Sequence, residues 1–477
     1  MRTGFSVGTV RAAERALMAE LPEGALMQRA AAGLAAACAG LLGRVYGARV
    51  ALLVGSGDNG GDALFAGARL ARRGAGVTAV LLAPERTHAG GLRALRAAGG
   101  RAVPATAGVP AVERADLVMD GIVGIGGTGG LRPEALPLVR AAEGALVVAV
   151  DLPSGVDADT GEVRGDAVRA DATVTFGAYK PGLLIDPARE HAGAPHLVDI
   201  GLNLPSVPDV EALQHADVAR LLPRPAAESD KYRRGVVGIV AGSARYPGAA
   251  VMAVAGALHG GAGAVRYTGP AADAVIARFP ETLVTAGPPS AAGRVQSWVV
   301  GPGLGDDPAA RRALDDVLAS DVPALLDADA LRLLSPDTLR ARRAGTVLTP
   351  HAGEAAALLG LTREEVESSR LASVRTLAAR YGVTALLKGS TTLIADASGS
   401  PVRVNPTGTG WLATAGSGDV LSGLAGALLA AGLRGMDAAA AAAYLHGLAA
   451  RSLGAAPLTA MGVAEGVRGV WRDVAVG

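Results

Sequence analysis

The stretch Asn405 to Gly423, N-P-T-G-T-G-W-L-A-T-A-G-S-G-D-V-L-S-G, sets a lone carboxylate, Asp419, directly behind a glycine-rich turn that opens an apolar helix. Gly416 and Gly418 permit backbone conformations closed to residues with a side chain, so that successive N–H groups can converge on an anionic oxygen at the positive end of the helix. Asp419 is expected at the first helical position. A carboxylate there would repel a phosphate, which leaves it the task of taking a proton from a neighbouring group. The plain structural alternative is an Asp N-cap.

Working back from this turn, four further apolar runs end in polar loops. Ala385-Leu386-Leu387 enters Lys388-Gly389-Ser390-Thr391-Thr392, one cation and three hydroxyls at a strand end. Thr346-Val347-Leu348 enters Thr349-Pro350-His351-Ala352-Gly353-Glu354, in which His351 alone would be an ordinary surface histidine. Trp298-Val299-Val300 leads to Gly301-Pro302-Gly303-Leu304-Gly305, and Ala324-Leu325-Leu326 to Asp327-Ala328-Asp329-Ala330-Leu331. Ligands of open α/β sheets bind at such carboxyl ends, and both loops led by Lys388 and Thr349 read as parts of a nucleotide site.

The ordered set G-S-x-x-Y-x-G-A (Gly242 to Ala249), G-P-G-L-G, L-D-A-D-A-L, L-T-P-H-x-G-E, L-K-G-S-x-T-L and G-S-G-D-V-L-S-G resembles the ADP-dependent NAD(P)H-hydrate dehydratases, a ribokinase-like family. The resemblance covers the second half of the chain. It implies that Asp419 is the catalytic base, that Lys388, Gly389, Ser390, Thr391, Thr392 and Gly418 contact the adenine nucleotide, and that Ala249, Gly303 and His351 line the hydrate pocket with Asp419. ADP is the implied co-substrate, with Mg2+. Ala415 and Thr409 depart from the family's Gly and Asn.

In the first half, the apolar run Arg49 to Val54 enters Gly55-Ser56-Gly57-Asp58-Asn59-Gly60-Gly61-Asp62, followed by a helix-like segment from Ala63. Strand, glycine-rich turn and helix form a nucleotide-binding junction, although this is not the G-x-G-x-x-G fingerprint. Two more runs end in carboxylates, Leu117-Val118-Met119 at Asp120 and Ala145 to Val150 at Asp151, and parallel strands would bring these together. Taken singly, each aspartate reads as a solvated loop cap. Asn59, Asp120 and Ser154 together offer only oxygen donors, which suit a hard cation and argue against zinc. The pattern resembles the NAD(P)H-hydrate epimerases. It implies that Asn59, Asp120 and Ser154 hold K+, that Asp151 is the acid/base, and that Asp58, Asn59, Gly60, Gly61, Asp62, Gly124, Ile125, Gly126, Gly127, Thr128, Gly129 and Gly130 cradle the substrate. Asp58, Ala63 and Met27-Gln28-Arg29 depart from the family's Asn, Gly and Met-Glu-Asn.

A length of 477 residues, at about 100–200 per domain, suits two α/β domains. The fold expected is a Rossmann-like three-layer α/β/α domain over residues 1–210 followed by a ribokinase-like α/β domain over 211–477. The proline-rich segment Leu204 to Asp230, with a helix-like stretch Val210 to Leu222, is expected to connect them. A net charge of +1 supplies no basic surplus for nucleic acid. The single cysteine, Cys38, cannot form an internal disulfide and fits a reducing cytoplasm. No signal peptide is evident, and alanine-rich runs such as Ala438 to Tyr444 are too short to span a bilayer. A homo-oligomer without nucleic-acid or membrane partners is expected.

Together the resemblances imply repair of hydrated NADH and NADPH: the first half interconverts the R and S hydrates at C6, and the second dehydrates the S form at the expense of ADP, releasing AMP and phosphate. The alternative is a ribokinase-like kinase of a small alcohol or vitamin fused to a binding module that has lost catalysis. The T-P-H-x-G-E loop and the retained Asp120, Asp151 and Ser154 speak against it.

Overall fold

The computed structural model describes every residue except Thr128, Ser400 and Gly477. The chain divides into two compact units, Thr3–Asp209 and, together with Met1–Arg2, Val210–Gly477. Strand β1 (Arg2–Gly4) is short and belongs in sheet order with the second unit.

Seven strands build the sheet of the first unit: β2 (Arg49–Val54), β3 (Gly76–Leu81), β4 (Arg101–Pro104), β5 (Leu117–Gly121), β6 (Leu146–Val150), β7 (Ala172–Phe176) and β8 (Ala194–Val198). Their order is β4-β3-β2-β5-β6-β7-β8, and every pairing is parallel. Such strands are apolar on both faces because helices cover both. In β2, Val50, Leu52 and Val54 join a core with Leu34 of the helix Ala25–Leu42 and Leu64 of the helix Asp58–Arg72. Ala51 and Leu53 point into a separate core with Val112 and Leu138. The result is the three-layer arrangement that the alternating runs predict. The order reverses between β2 and β5, which opens a crevice at their carboxyl ends. One helix, Ala25–Leu42, is long and apolar enough to cross a bilayer by length and composition. Here its Leu26, Ala30, Ala31, Leu34, Ala35 and Cys38 are buried in the core.

The second unit contributes β9 (Val210–Ala212), β10 (Val236–Val240), β11 (Ala264–Thr268), β12 (Leu283–Val284), β13 (Ser297–Val300), β14 (Ala324–Leu326), β15 (Thr346–Leu348), β16 (Thr384–Leu387), β17 (Thr392–Ala395) and β18 (Val402–Asn405). The sheet order is β1-β9-β18-β17-β16-β15-β14-β13-β10-β11-β12. Strands from β12 through β16 run parallel, and β16-β17-β18 turn back antiparallel. Two expectations change here. Val210 to Leu222 is not one helical stretch: Val210–Ala212 pairs with β18, and only His215–Leu221 is helical. The loop led by Lys388 joins antiparallel strands, so Thr392 opens β17.

With few large aromatics, this unit packs by close approach. A Cβ on Gly256 of the helix Pro247–His259 would lie 2.1 Å from the Val420 carbonyl oxygen, and one on Gly423 would lie 1.9 Å from that of Ala253. The glycines let two helix backbones touch, which fixes the helix Ser417–Ala430 and the carboxylate at its start.

Candidate active sites

In the first unit the helix begins at Asp58, earlier than the expected Ala63, because Gly57 already serves as its N-cap. Asn59, Gly60, Gly61 and Asp62 thus lie in its first turns. A cavity of about 1540 Å3 opens above the carboxyl ends of the strands. Asp58, Asn59, Asp62, Gly124, Ile125, Gly126, Gly127, Gly129, Gly130 and Asp151 line it. Thr128 lies outside the described residues. Gly60 and Gly61 do not line the cavity. Their lack of side chains lets the turn pack, since a Cβ on Gly60 would meet the Gly55 carbonyl at 2.6 Å and one on Gly61 the His88 ring at 3.1 Å.

Asp151 follows β6 at φ +67, the left-handed region that non-glycine residues seldom occupy. Its Oδ1 accepts from Lys180 Nζ at 2.5 Å, from Thr175 Oγ1 at 3.0 Å and from the Phe176 N–H at 3.2 Å. Oδ2 takes none of these bonds. Lys180 is 1% exposed and also donates to Thr175 Oγ1 and the Phe176 carbonyl. Nothing in the motif reading singled out Lys180. The signal was composition: three lysines stand among forty-five basic residues, so a lysine marks a place where arginine does not serve. Asp62 is buried, and burial, followed by the charges of Asp151, Asp58 and Glu14, pushes its carboxyl well above the ordinary range.

Asp120 and Ser154 lie beneath the cavity. Ser154 donates to Asp120 through Oγ at 2.6 Å and through its N–H at 2.7 Å, and Ser154 Oγ accepts from the Val123 N–H at 3.0 Å. Burial raises the Asp120 carboxyl to about 6, and no cationic side chain among the described residues pairs with it. Asn59 is close by, its Oδ1 3.0 Å from where a Gly124 Cβ would sit, and its buried Nδ2 has no partner. A buried carboxylate held only by neutral donors, among oxygen ligands, fits a hard cation.

In the second unit, Asp419 is the third residue of the helix Ser417–Ala430, not the first, because Gly416 at φ 88 forms the N-cap. It is therefore no N-cap itself. Gly418 has ordinary helical backbone and lies beside the lysine: a Cβ there would make an ordinary contact with Lys388 Nζ at 3.4 Å. Lys388 Nζ donates to Asp327 Oδ1 at 2.8 Å and lies 3.7 Å from Glu354 Oε2. Burial acts to lower the Lys388 pKa, but Asp327 and then Glu354 outweigh it and raise it. Asp327 also accepts from Ser422 Oγ at 2.7 Å. Asp419 is pushed up to about 7 by burial and by Asp327, with Lys388 opposing. At the loop led by Lys388, Gly389 and Ser390 form the exposed tip, and Thr391 is buried. Arg370, from the helix Arg370–Tyr381, donates to the carbonyls of Lys388 and Thr391 at 3.1 and 2.8 Å.

Gly303 and Ala249 meet directly, a Cβ on Gly303 lying 2.7 Å from that of Ala249. His351 caps the helix Ala352–Leu359, its Nδ1 accepting from the N–H groups of Gly353 and Glu354. Asp327 and Glu354, present in the quoted motifs but given no task there, thus prove to be the partners of Lys388.

The family described as NAD(P)H-hydrate dehydratase matches residues 237–465, and that described as YjeF-related protein N-terminus matches residues 23–182. The bifunctional NAD(P)H-hydrate repair enzyme Nnr of Mycobacterium leprae is 51% identical, over 96% of this chain and 95% of its own length. That of Mycobacterium tuberculosis is 50% identical over 92% of each. Among solved structures, the ADP/ATP-dependent NAD(P)H-hydrate dehydratase of Bacillus subtilis, co-crystallised with ATP/Mg2+, is 29% identical with a TM-score of 0.52, covering 56% of this chain and 99% of that one. Both halves thus find their relatives in one kind of fused protein, and the chain belongs to the family of bifunctional NAD(P)H-hydrate repair enzymes.

Proposed function

We propose that this enzyme returns hydrated NADH and NADPH to service, with the epimerase in residues 1–210 and the ADP-dependent dehydratase in residues 211–477. In the second unit, Asp419 takes the proton of the C6 hydroxyl as that oxygen attacks the terminal phosphoryl of ADP, and AMP departs. Backbone N–H groups from Gly416 to Gly418 stabilise the charge on the phosphoryl group. Loss of phosphate from C6 and of a proton from the adjacent ring carbon restores NAD(P)H. Lys388, with Gly389, Ser390, Thr391 and Thr392, sits beside the nucleotide. Ala249, Gly303 and His351 border the hydrate. Mg2+ bound with the nucleotide would neutralise its phosphates, and the carboxylates Asp327 and Glu354, beside Lys388, would be the nearby oxygen donors.

In the first unit, Asp151 moves the proton that lets the C6 oxygen leave and return on the other face. Lys180 holds that carboxylate in place. Asn59, Asp120 and Ser154 would hold K+, which would supply positive charge at the floor of the cavity. Asp58, Asn59 and Asp62, in the first turns of the helix that Gly60 and Gly61 let pack closely, cradle the substrate together with the glycine-rich loop after Gly124.

The observation that carries the reading is the Lys180–Asp151 pair in the cavity of the first unit. A buried ion pair contributes little to stability in return for its desolvation, so its presence at an open cavity speaks for chemistry over mere binding. The test uses each pure hydrate with the full chain. R hydrate plus ADP should regain nicotinamide absorbance and release AMP and phosphate. A stable phosphoester product would instead identify a kinase.

A further inference from the structure

One end of the first unit's cavity has no task in the chemistry above. The cavity runs from Asp151 and Gly155 past Gly55 to Asn59 and on to Leu82, Ala83, Arg86 and His88 in the segment after β3. With β3 beside β2, β2 beside β5 and β5 beside β6, three strand spacings of about 4.8 Å separate the two ends, roughly 14 Å across the sheet. Phosphates sit naturally at the middle, where the helix Asp58–Arg72 begins. The reacting ring belongs at Asp151. The other nucleoside therefore falls over the end of β3.

In dinucleotide-binding sheets, an Asp or Glu about 20 residues beyond the glycine turn accepts the ribose 2′-hydroxyl, whereas an Arg accommodates a 2′-phosphate. Here β3 ends in Leu81, followed by Leu82 and Ala83, with no carboxylate. Arg86 closes the short turn Pro84–Arg86, lines the cavity and forms no ion pair among the described residues. The neighbouring Glu85 is exposed and does not line the cavity. His88 ties this segment to the glycine turn. Its ring packs on Gly61, stacks edge-on with Phe65 and accepts the Gly91 N–H at Nδ1, which leaves Nε2 as a donor.

Resting on the epimerase reading, we infer that Arg86, with His88, forms a subsite for the 2′-phosphate of the adenosine ribose, so that the first unit prefers the phosphorylated hydrate, that of NADPH. Arg86 acts through binding alone, since it stands at the opposite end of the cavity from Asp151.

The test measures epimerisation of pure R-NADPH hydrate and R-NADH hydrate by the full chain without ADP, so that dehydration does not intervene. A charge-assisted contact to phosphate predicts that Arg86→Ala raises KM for the phosphorylated hydrate about 10–100-fold with kcat unchanged. The unphosphorylated hydrate should change less than about two-fold, and Arg86→Glu should reverse the preference. Equal effects on both hydrates, or none, overturn the subsite while leaving the epimerase reading intact. Absence of epimerisation with either hydrate removes that reading instead. Calorimetric titration with 2′-phospho-ADP-ribose and with ADP-ribose then judges the subsite by itself: loss in Arg86→Ala of the phosphate-dependent affinity supports it, and an unchanged difference rejects it.

Discussion

The two units each set a lysine beside aspartates, with opposite results. In the first, Lys180 pairs with the proposed acid/base, so Asp151 Oδ1 is occupied by a cation at 2.5 Å. In the second, Lys388 pairs with Asp327 at 2.8 Å, and Asp419 is left with burial and like charges that push it up to about 7. One carboxylate is anchored, and the other is poised to titrate near neutrality. A base that must accept a proton and later release it works best with a pKa near the working pH. A group that must hold one orientation while a hydroxyl leaves and returns gains more from a fixed partner.

The largest effects should come from removing each carboxylate. Asp419→Asn should cost about 10²–10⁴ in dehydration of either epimer while interconversion continues. Asp151→Asn should dehydrate S hydrate normally and strand R hydrate. Mixing the two variants should restore consumption of the whole mixture, followed by nicotinamide absorbance. If Asp151→Asn consumes R hydrate at the unmodified rate, the contrast between the units collapses and the first is a binding module.

Next in size is the anchor. Lys180→Met leaves a buried carboxylate without its cation, which costs about 3–5 kcal/mol of stability. Adding Asp151→Asn should recover much of that loss in a denaturant titration without recovering epimerisation. A single variant as stable as the parent would show that the pair is not the anchor described.

A smaller shift concerns how Asp419 titrates. Dehydration should rise with pH as Asp419 ionises near 7, since the base acts as the carboxylate. Asp327→Asn removes a repelling charge and frees Lys388, so the ascending limb should move to lower pH. An unmoved limb would mean that Asp327 does not set this pKa.

The smallest effect is on stability. Asp419 has a folded pKa raised above its unfolded value, so its favourable contribution is complete below the unfolded pKa and fades as pH rises through about 7. Asp419→Asn should therefore gain Tm relative to the parent between pH 5 and about 8. A difference independent of pH would contradict the raised pKa.

Much of this was legible in the sequence because buried parallel strands are short apolar runs that stop where polar loops begin. The junctions at Val54, Val150, Val300 and Leu348 are local signals of that kind. What escaped was non-local. Lys180 reaches Asp151 from 29 residues away. Val210–Ala212 is a strand only because β18, far along the chain, pairs with it. Asp419 stands third in its helix and not first because Gly416, not the G-S-G triplet as a whole, takes the left-handed conformation that starts the helix. The burial of Thr391 is likewise non-local, since it comes from the antiparallel return of β17.

The scarcity of lysine also makes the chain nearly blank to amine chemistry. Lys180 is buried and precedes Pro181, and Lys388 is held by Asp327, whereas Lys231 is exposed at the start of the helix Lys231–Arg234. A lysine-specific protease acting on the folded enzyme therefore meets one open bond, after Lys231, just before β10. Cleavage there would fall inside the second unit, between the helix His215–Leu221 and β10, and an amine-reactive dye would label Lys231 alongside the N-terminal amine that pairs with Asp217.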